Sequence, residues 1–430
     1  MSSAREITHI PGTFLIDASA SFLNGAGISK TREYKNYTLV KTFRDGSNDG
    51  HTYNVPYVSA QALRRYWRDT TNNESGWNPS LMRALKQNKD GYTSKVGGEF
   101  NPVEYPEDDL FGYMRTAEKG ARDEEGIGEE EEEEEEVIVG EKDADSSKKD
   151  ARKERGSKIK NLRRTSPLST SILMSLRKEN WEGKDEGWVH LVEGYANPYS
   201  TQFYSTTLQG IFTLNYARVC RFSNVGDSIE LREDLVERLM KVNKIRQVDQ
   251  REYYGVQKKE VKVNGDDKQG KSSKPPTKAI FKQEKKYGKI YELVNAESER
   301  KRRASMLLNS LARLEGGAKQ SAFATDISPK VLLLAGLRNC ANPIFNNLFE
   351  DDRSSNNRGR TVRLNVEALK EVVNDYNDRL CTPVFIGIRT GYIQNEPEVK
   401  KLAEMGEFEV TTPIDAAKRM GSELPDSDIQ

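Results

Sequence analysis

Only three cysteines occur in 430 residues, Cys220, Cys340 and Cys381, and they stand far apart with no C-x-x-C arrangement. A disulfide framework is thereby excluded, and buried thiols are expected instead. Histidine is equally scarce: His9, His51 and His190 form neither H-E-x-x-H, nor H-x-H, nor a mixed cysteine–histidine ligand set, so no metal or other cofactor is expected. The P-loop G-x-x-x-x-G-K-[ST], the dinucleotide fingerprint and G-x-S-x-G are missing too, which removes nucleotide hydrolysis by a P-loop, dinucleotide binding and the serine elbow. Nowhere do 18 apolar residues run together, and MSSAREITHI has no apolar signal core, so a cytoplasmic chain with no membrane partner is expected. No repeat of twenty to fifty residues is present.

Charge of one sign is also lacking overall, with 67 basic residues against 67 acidic. The distribution is uneven. From Arg115 to Lys160 there are 17 acidic and 11 basic residues, including eight consecutive glutamates, Glu129 to Glu136. Such a segment cannot bury enough apolar surface to offset ordering entropy, so 121–160 is expected to be disordered. The rest of the chain carries a basic excess. Apolar residues make up 35 %, consistent with polar insertions around an ordinary core in a chain too long for one small domain.

Strand patterns open the chain in ITHIPGTFLIDASASFLNG and recur at Tyr37 to Phe43 and Tyr53 to Val58, with Asn24, Gly25, Ala26 and Gly27 forming a turn after the first. The period then changes. In PYVSAQALRRYWRD, Ser59 is placed to cap a helix whose apolar face is Ala60, Leu63 and Trp67, with Arg64 and Arg68 on an adjacent face beside Arg65. Arginines near the amide-rich end of a helix suit backbone phosphate, although they also suit a solvated helix flank. Further strands are expected at Trp188 to Val192, Gln202 to Val219, Val331 to Ala335 and in PVFIGIR. Helices are expected at Leu231 to Val242, Glu297 to Glu315, Asn365 to Leu380 and Ile414 to Met420.

Two more stretches have binding chemistry. Val256 to Lys289 is lysine-rich with Phe281 and Tyr287 among the cations, which fits either a nucleic-acid path or a soluble loop. In GGAKQSAFATDISPKVLLLAG, Gly316 and Gly317 let the backbone approach a phosphate closely, with Lys319, Gln320 and Ser321 alongside; the same glycines would equally end a helix. Asp17 and Asp326 are the carboxylates beside these segments, and a metal-dependent RNA endonuclease using either is the alternative from another functional class.

LIDASASFLNGAG, PYVSAQALRRYWRD and GGAKQSAFATDISPKVLLLAG, in that order over roughly 300 residues, resemble the DevR-like branch of the backbone subunits of CRISPR type I effector complexes, subtype I-B. The resemblance implies an α+β molecule: an RRM-like (ferredoxin-like) antiparallel sheet as palm, with inserted finger and thumb regions. The palm would be 1–70, 188–221 and 296–430, the finger insertion 71–187, and a thumb or basic insertion 222–295. It further implies a non-catalytic subunit that binds guide RNA (crRNA), lines up with copies of itself, and supports pairing with a target DNA strand. Large, small and guide-capping subunits would be its neighbours, and a recruited helicase-nuclease an indirect one. Carried onto this chain, Asn24, Gly25, Gly27, Arg64, Arg65 and Arg68 become one set of guide-backbone contacts, and Gly316, Gly317, Lys319 and Gln320 the second. Type III relatives cut RNA with an aspartate between the first strand and the basic helix. Here Glu33 is the one carboxylate between Asn24 and Arg44, so no cleavage is expected. The branch's name also suggests a transcriptional or developmental regulator, for which no dimeric helix-turn-helix pattern is found.

Overall fold

The computed structural model describes residues 7–29, 37–46, 50–87, 93–115, 161–189, 193–194, 197–226, 228–262, 277–351 and 362–425. The expected disordered stretch 121–160 lies outside the described residues. In the first half of the chain the strands are β1 (His9–Ser21), β2 (Gly25–Ser29), β3 (Tyr37–Val40), β4 (Thr42–Gly46) and β5 (Thr52–Val58), followed by α1 (Ala60–Ser75). A hairpin, β6 (Met82–Gln87) and β7 (Thr93–Gly98), precedes α2 (Pro106–Phe111), β8 (Tyr113–Arg115) and β9 (Asn161–Arg164). Then come β10 (Leu168–Thr170), β11 (Leu173–Ser175), β12 (Glu182–Val189) and β13 (Asn197–Asn215).

The second half begins with β14 (Arg221–Asn224), β15 (Ser228–Ile229), α3 (Glu233–Lys241) and two long strands, β16 (Ile245–Lys262) and β17 (Thr277–Leu293). It continues through α4 (Ala296–Leu311), the single turn α5 (Gln320–Phe323), β18 (Val331–Leu334), β19 (Phe349–Asp351), β20 (Val362–Leu364) and α6 (Val366–Asp375). The last elements are β21 (Val384–Ile388), α7 (Glu396–Lys401), β22 (Phe408–Thr411) and α8 (Pro413–Glu423).

The fold is mixed α+β around one large sheet. Its middle strands run β18, β1, β13, β11, all antiparallel, with α1 after β1 and α4 between β13 and β18. Strand, helix, two strands, helix and strand thus follow each other along the chain, and the last strand lies beside the first. Both helices cover one face. Trp67 of α1 packs edge-on to Phe14 of β1 and Phe212 of β13, and its indole N–H donates to the Leu307 carbonyl of α4 at 2.9 Å. The other face is covered near β18 and β21, where Leu15, Leu333 and Ile386 meet Phe345, Leu348 and Leu369. Burial on both faces explains why VLLL is continuously apolar rather than alternating.

β13 organises the remainder. It pairs with β1, β10, β11, β12 and, in parallel, β3. Because β3 runs into β4 at Lys41, and β4 pairs β5, which pairs β11, these strands close a small ring with Val40, Val55 and Tyr204 buried. The single strand expected at Tyr37 to Phe43 is divided at Lys41, whose amide donates to the Asn24 carbonyl while its own carbonyl accepts from Tyr57. β12 begins earlier than expected because Gly183 and Gly187 lie under the rings of Phe203 and Tyr199 across the pair. The lysine-rich stretch is strand, in β16 and β17, over its described residues. It forms most of a two-stranded ribbon whose register runs from Ile245 opposite Leu293 to Lys262 opposite Thr277, with one bulge at Val248.

The pieces are tied together by three successive carboxylates in the first turn of α2, where Pro106 fits the start of a helix and acids suit its amide end. Glu107 accepts from the Asn72 side chain and the Ser80 amide; Asp108 accepts from the Ser80 hydroxyl and the Asn101 amide. Asp109, fully buried, binds the guanidinium groups of Arg164 and Arg303 and the amide of Cys220. Arg164 also reaches Glu230 at 2.7 Å, and Arg303 the carbonyl of Pro102 at 2.8 Å. Removing one partner from such a network leaves buried charge uncompensated. Asp109→Ala is therefore expected to lower unfolding stability by about 3–5 kcal/mol in a denaturant titration; a loss below about 1 kcal/mol would contradict the network's weight.

Candidate nucleic-acid interface

Ser59 caps α1 as its position predicts, its hydroxyl accepting from the Ala62 amide at 3.3 Å. The Ser59 amide donates to the Asn24 side-chain oxygen at 3.2 Å, so the turn after β1 is fastened to the start of the helix. Gly25 pairs with Val40, and Gly27 lies exposed at φ 111° with open space where a side chain would be.

Against this turn lies the loop after α4. The helix ends at Leu311, well before the glycines, so they are not its cap. Gly316 at φ 131° and Gly317 at φ 109° take conformations that disfavour a Cβ, and one on Gly316 would lie 2.8 Å from the Tyr66 ring. The Leu23 carbonyl accepts both the Tyr66 hydroxyl, at 2.6 Å, and the Ala318 amide, at 3.0 Å. Gln320 closes the loop internally by donating to the carbonyls of Gly316 and Thr325. Lys319 and Ala324, both non-glycine, sit in the left-handed region at φ 51° and 45°. The exposed Lys319 reaches the Thr201 hydroxyl at 3.1 Å and lies 5.0 Å from the centre of the Phe22 ring. Phe323 stacks on Phe22 and meets Phe203, building an aromatic cluster below the lysine. The structure thus brings Asn24, Gly25 and Gly27 together with Gly316, Gly317, Lys319 and Gln320 on one surface.

The arginines of α1 lie elsewhere. At 100° per residue, Arg68 is about 160° around the helix from Tyr66, so the expected first set, Asn24, Gly25 and Gly27 with Arg64, Arg65 and Arg68, is divided by α1 between two flanks. Arg64 is turned into the protein, donating to the carbonyls of Leu168 at 2.7 Å and Phe111 at 2.6 Å. Burial and the neighbouring Arg68 lower its pKa to about 10. Arg68 lies 5.4 Å from the centre of the Phe111 ring, makes no hydrogen bond or ion pair among the described residues, and has a buried Nε without a partner. Arg65 is exposed and pairs with Asp69 at 2.6 Å. Beside Arg68, burial raises the Asp108 pKa to about 6, opposed by the Ser80 hydrogen bond and reinforced by the charge of Glu107.

Neither candidate nuclease carboxylate sits in a ligand cluster. Asp17 accepts from Ser19 at 2.9 Å, and Asp326 is taken up by Lys330 and by the Ser328 amide, at 2.8 Å. Burial opposes the ionisation of Asp326, but these hydrogen bonds outweigh it and lower its pKa. Among the described residues no group of three or more histidines, cysteines or carboxylates is placed to hold a metal ion, and no helix is long and apolar enough to cross a membrane. The aromatic cluster was not anticipated from the sequence, where Phe22, Phe203 and Phe323 stand in three separate segments, SASFLNG, TQFYST and AFATD.

The fold and the site together describe an α+β protein with a polar, glycine-bearing surface beside its main sheet. No protein-family profile matches the chain, and no curated protein matches it in sequence. Among solved structures, the chain is similar to a chain of a CRISPR RNA-guided surveillance complex at 12 % identity and TM-score 0.39, over 96 % of this chain and 99 % of that one. A chain of a pre-nicking form of a CRISPR RNA-guided surveillance complex is similar at 11 % identity and TM-score 0.43, over 97 % and 100 %. A chain of a Type IV-B CRISPR complex is similar at 13 % identity and TM-score 0.24, over 48 % and 72 %.

Two substitutions test the loop. Gly317→Ala is expected to destabilise by at least about 1 kcal/mol, because its Cβ would meet Leu23 at 2.6 Å and the left-handed backbone is strained. Ala324→Gly relieves the same strain and is expected to be neutral or to stabilise by up to about 1 kcal/mol; the reverse order of melting temperatures would contradict the loop geometry. A third concerns pH. The folded pKa of Asp108 is raised, so its ionisation penalises the fold at pH values above that pKa, and the penalty vanishes below its unfolded value. Asp108→Asn should therefore be more stable than the parent at pH 7.5, by about 2 kcal/mol in a denaturant titration, with the gap closing towards pH 4. A gap that widens on acidification would contradict it.

Proposed function

We propose that the chain is a non-catalytic subunit that holds single-stranded guide RNA by its sugar-phosphate backbone, in copies lined along the guide, within a CRISPR surveillance complex that pairs the guide with target DNA. The observation that carries this reading is the preformed loop 316–325, locked by Gln320 and Tyr66 against the Asn24–Gly27 turn, with Lys319 held outward over an aromatic cluster. Such a surface offers a cation, rings and close backbone approach without a pocket for any one base. That suits binding in which base pairing supplies sequence and the protein supplies grip.

The RRM-like palm is part of the same proposal, and the order β18, β1, β13, β11 with helices α1 and α4 on one face supports it. The 71–187 finger and the 222–295 thumb follow from it; β16 and β17 supply a ribbon of the kind a thumb requires, while β10 and β11, at the end of the finger stretch, pair into the palm sheet. Arg65 and Arg68 would contact phosphate from the second flank of α1. Arg64, whose guanidinium serves two carbonyls, would orient Phe111 and Arg68 rather than reach the guide. The large, small and guide-capping subunits and an indirectly recruited helicase-nuclease complete the set of proposed partners, in the cytoplasm.

The test is retention of single-stranded RNA as a function of salt. Lys319→Ala is expected to weaken binding of two unrelated sequences by similar factors and to reduce the magnitude of the log–log salt slope by about 0.7. Failure of the protein to retain any single-stranded RNA at low ionic strength, or a loss confined to one sequence, would overturn the proposal.

A further inference from the structure

Towards its start, β13 leaves β1 behind and pairs with β12 and, briefly, with β3. The register there sets Gly183 opposite Phe203, Asp185 opposite Thr201 and Gly187 opposite Tyr199, so these six residues share one face of the pair. The other face carries Gln202 and Tyr204, both buried. On the first face each glycine lies under the ring across from it. A Cβ on Gly183 would run into the Phe203 ring, and one on Gly187 would lie 3.0 Å from the Tyr199 ring. Both rings are half-buried, held flat against backbone. Between them the Lys319 ammonium reaches the Thr201 hydroxyl at 3.1 Å. Phe203 meets Phe323, which stacks on Phe22, so the row of rings runs from the hairpin into the loop 316–325.

We propose that this face is a stacking track for unpaired bases of single-stranded RNA, one base lying on Tyr199 and another on Phe203 and Phe323, with the phosphate between them at Lys319. The track rests on the reading of the chain as an RNA binder and extends it from the backbone to the bases. Tyr199 and Phe203 are four residues apart on one strand, about 13 Å at 3.3 Å per residue, too far for one base to cover both. The sequence ring, cation, ring therefore matches the sequence base, phosphate, base along a strand. Stacking engages the face of a base and leaves its edge free, so it adds affinity without reading sequence.

The charges on the face favour bases over phosphate as the hairpin's own ligand. Asp185 is exposed and stands opposite Thr201, where it repels phosphate and can accept from the amino groups of bases. The cation comes from the loop instead. A ring laid over a glycine also steadies a strand pair by itself. Two such pairs on one face, with a lysine reaching between them, are a surface as well as a brace, and the two roles give different binding results.

The experiment compares the affinity of the full chain for a labelled oligouridine and for an abasic ribose-phosphate strand of the same length, at fixed salt and pH. The parent is expected to prefer the base-bearing strand. Tyr199→Ala should weaken oligouridine binding by about tenfold and leave the abasic strand within about twofold. Tyr199→Phe keeps a ring and should bind as the parent does. Gly187→Ala keeps Tyr199 but lifts its ring from the backbone, and should lose about threefold on oligouridine alone. Lys319→Ala should weaken both strands. Equal affinity of the parent for the two strands, or a Tyr199→Ala loss that is absent or the same for both, would overturn the track; binding of the abasic strand by every variant would leave the backbone grip standing. Retention of neither strand by the parent at low ionic strength would overturn both.

Discussion

Asp109 is the constraint on which the rest of the molecule depends. One buried carboxylate joins guanidinium groups 55 and 194 residues away in sequence, and its third contact, to the Cys220 amide, spans 111. A charge with no access to water is tolerable only where it is paired and hydrogen-bonded, and here both carboxylate oxygens are. The consequence is geometric. α2 is pinned against α4, β9 and the turn before β14 at once, so the segment that leaves the main sheet after α1 returns to it in one register.

With α2 fixed, α1 acquires two different flanks. One carries Tyr66 and Thr70, which hold the loop 316–325 through Leu23, Gly316 and Glu315. The other carries Arg64 and Arg68 on the ring of Phe111, the last residue of α2. The same helix that covers the sheet with Trp67 therefore separates a strained loop surface from a charged cluster. Packing sets the separation, and the electrostatics on each side follow from it.

Much of this was legible in local pattern. The α1 cap at Ser59, the apolar face through Leu63 and Trp67, the buried strand VLLL and the positive φ of Gly316 and Gly317 all follow from rules that act within one or two turns of chain. What local pattern cannot carry is partnership at a distance. PEDD reads as an acidic helix start, and nothing near it announces Arg164 or Arg303. Arg64 and Arg68 share a helical face in the sequence, yet Phe111, from another element, decides that one is locked and the other is not. The lysine-rich stretch leaves a nucleic-acid path and a soluble loop both open for a related reason: its charges do not show the cross-strand pairing that makes its described residues a ribbon. The acidic run stands apart from this comparison, since it lies outside the described residues.

The central claim is that the loop 316–325 and the turn after β1 form one surface against which single-stranded RNA lies. Photo-crosslinking of a uridine-rich strand to the intact chain, followed by peptide mapping, tests it most directly. The account predicts adducts on the peptides containing Phe22 to Gly27 and Gly316 to Thr325. Adducts found only on other segments, with these peptides unmodified, would contradict it.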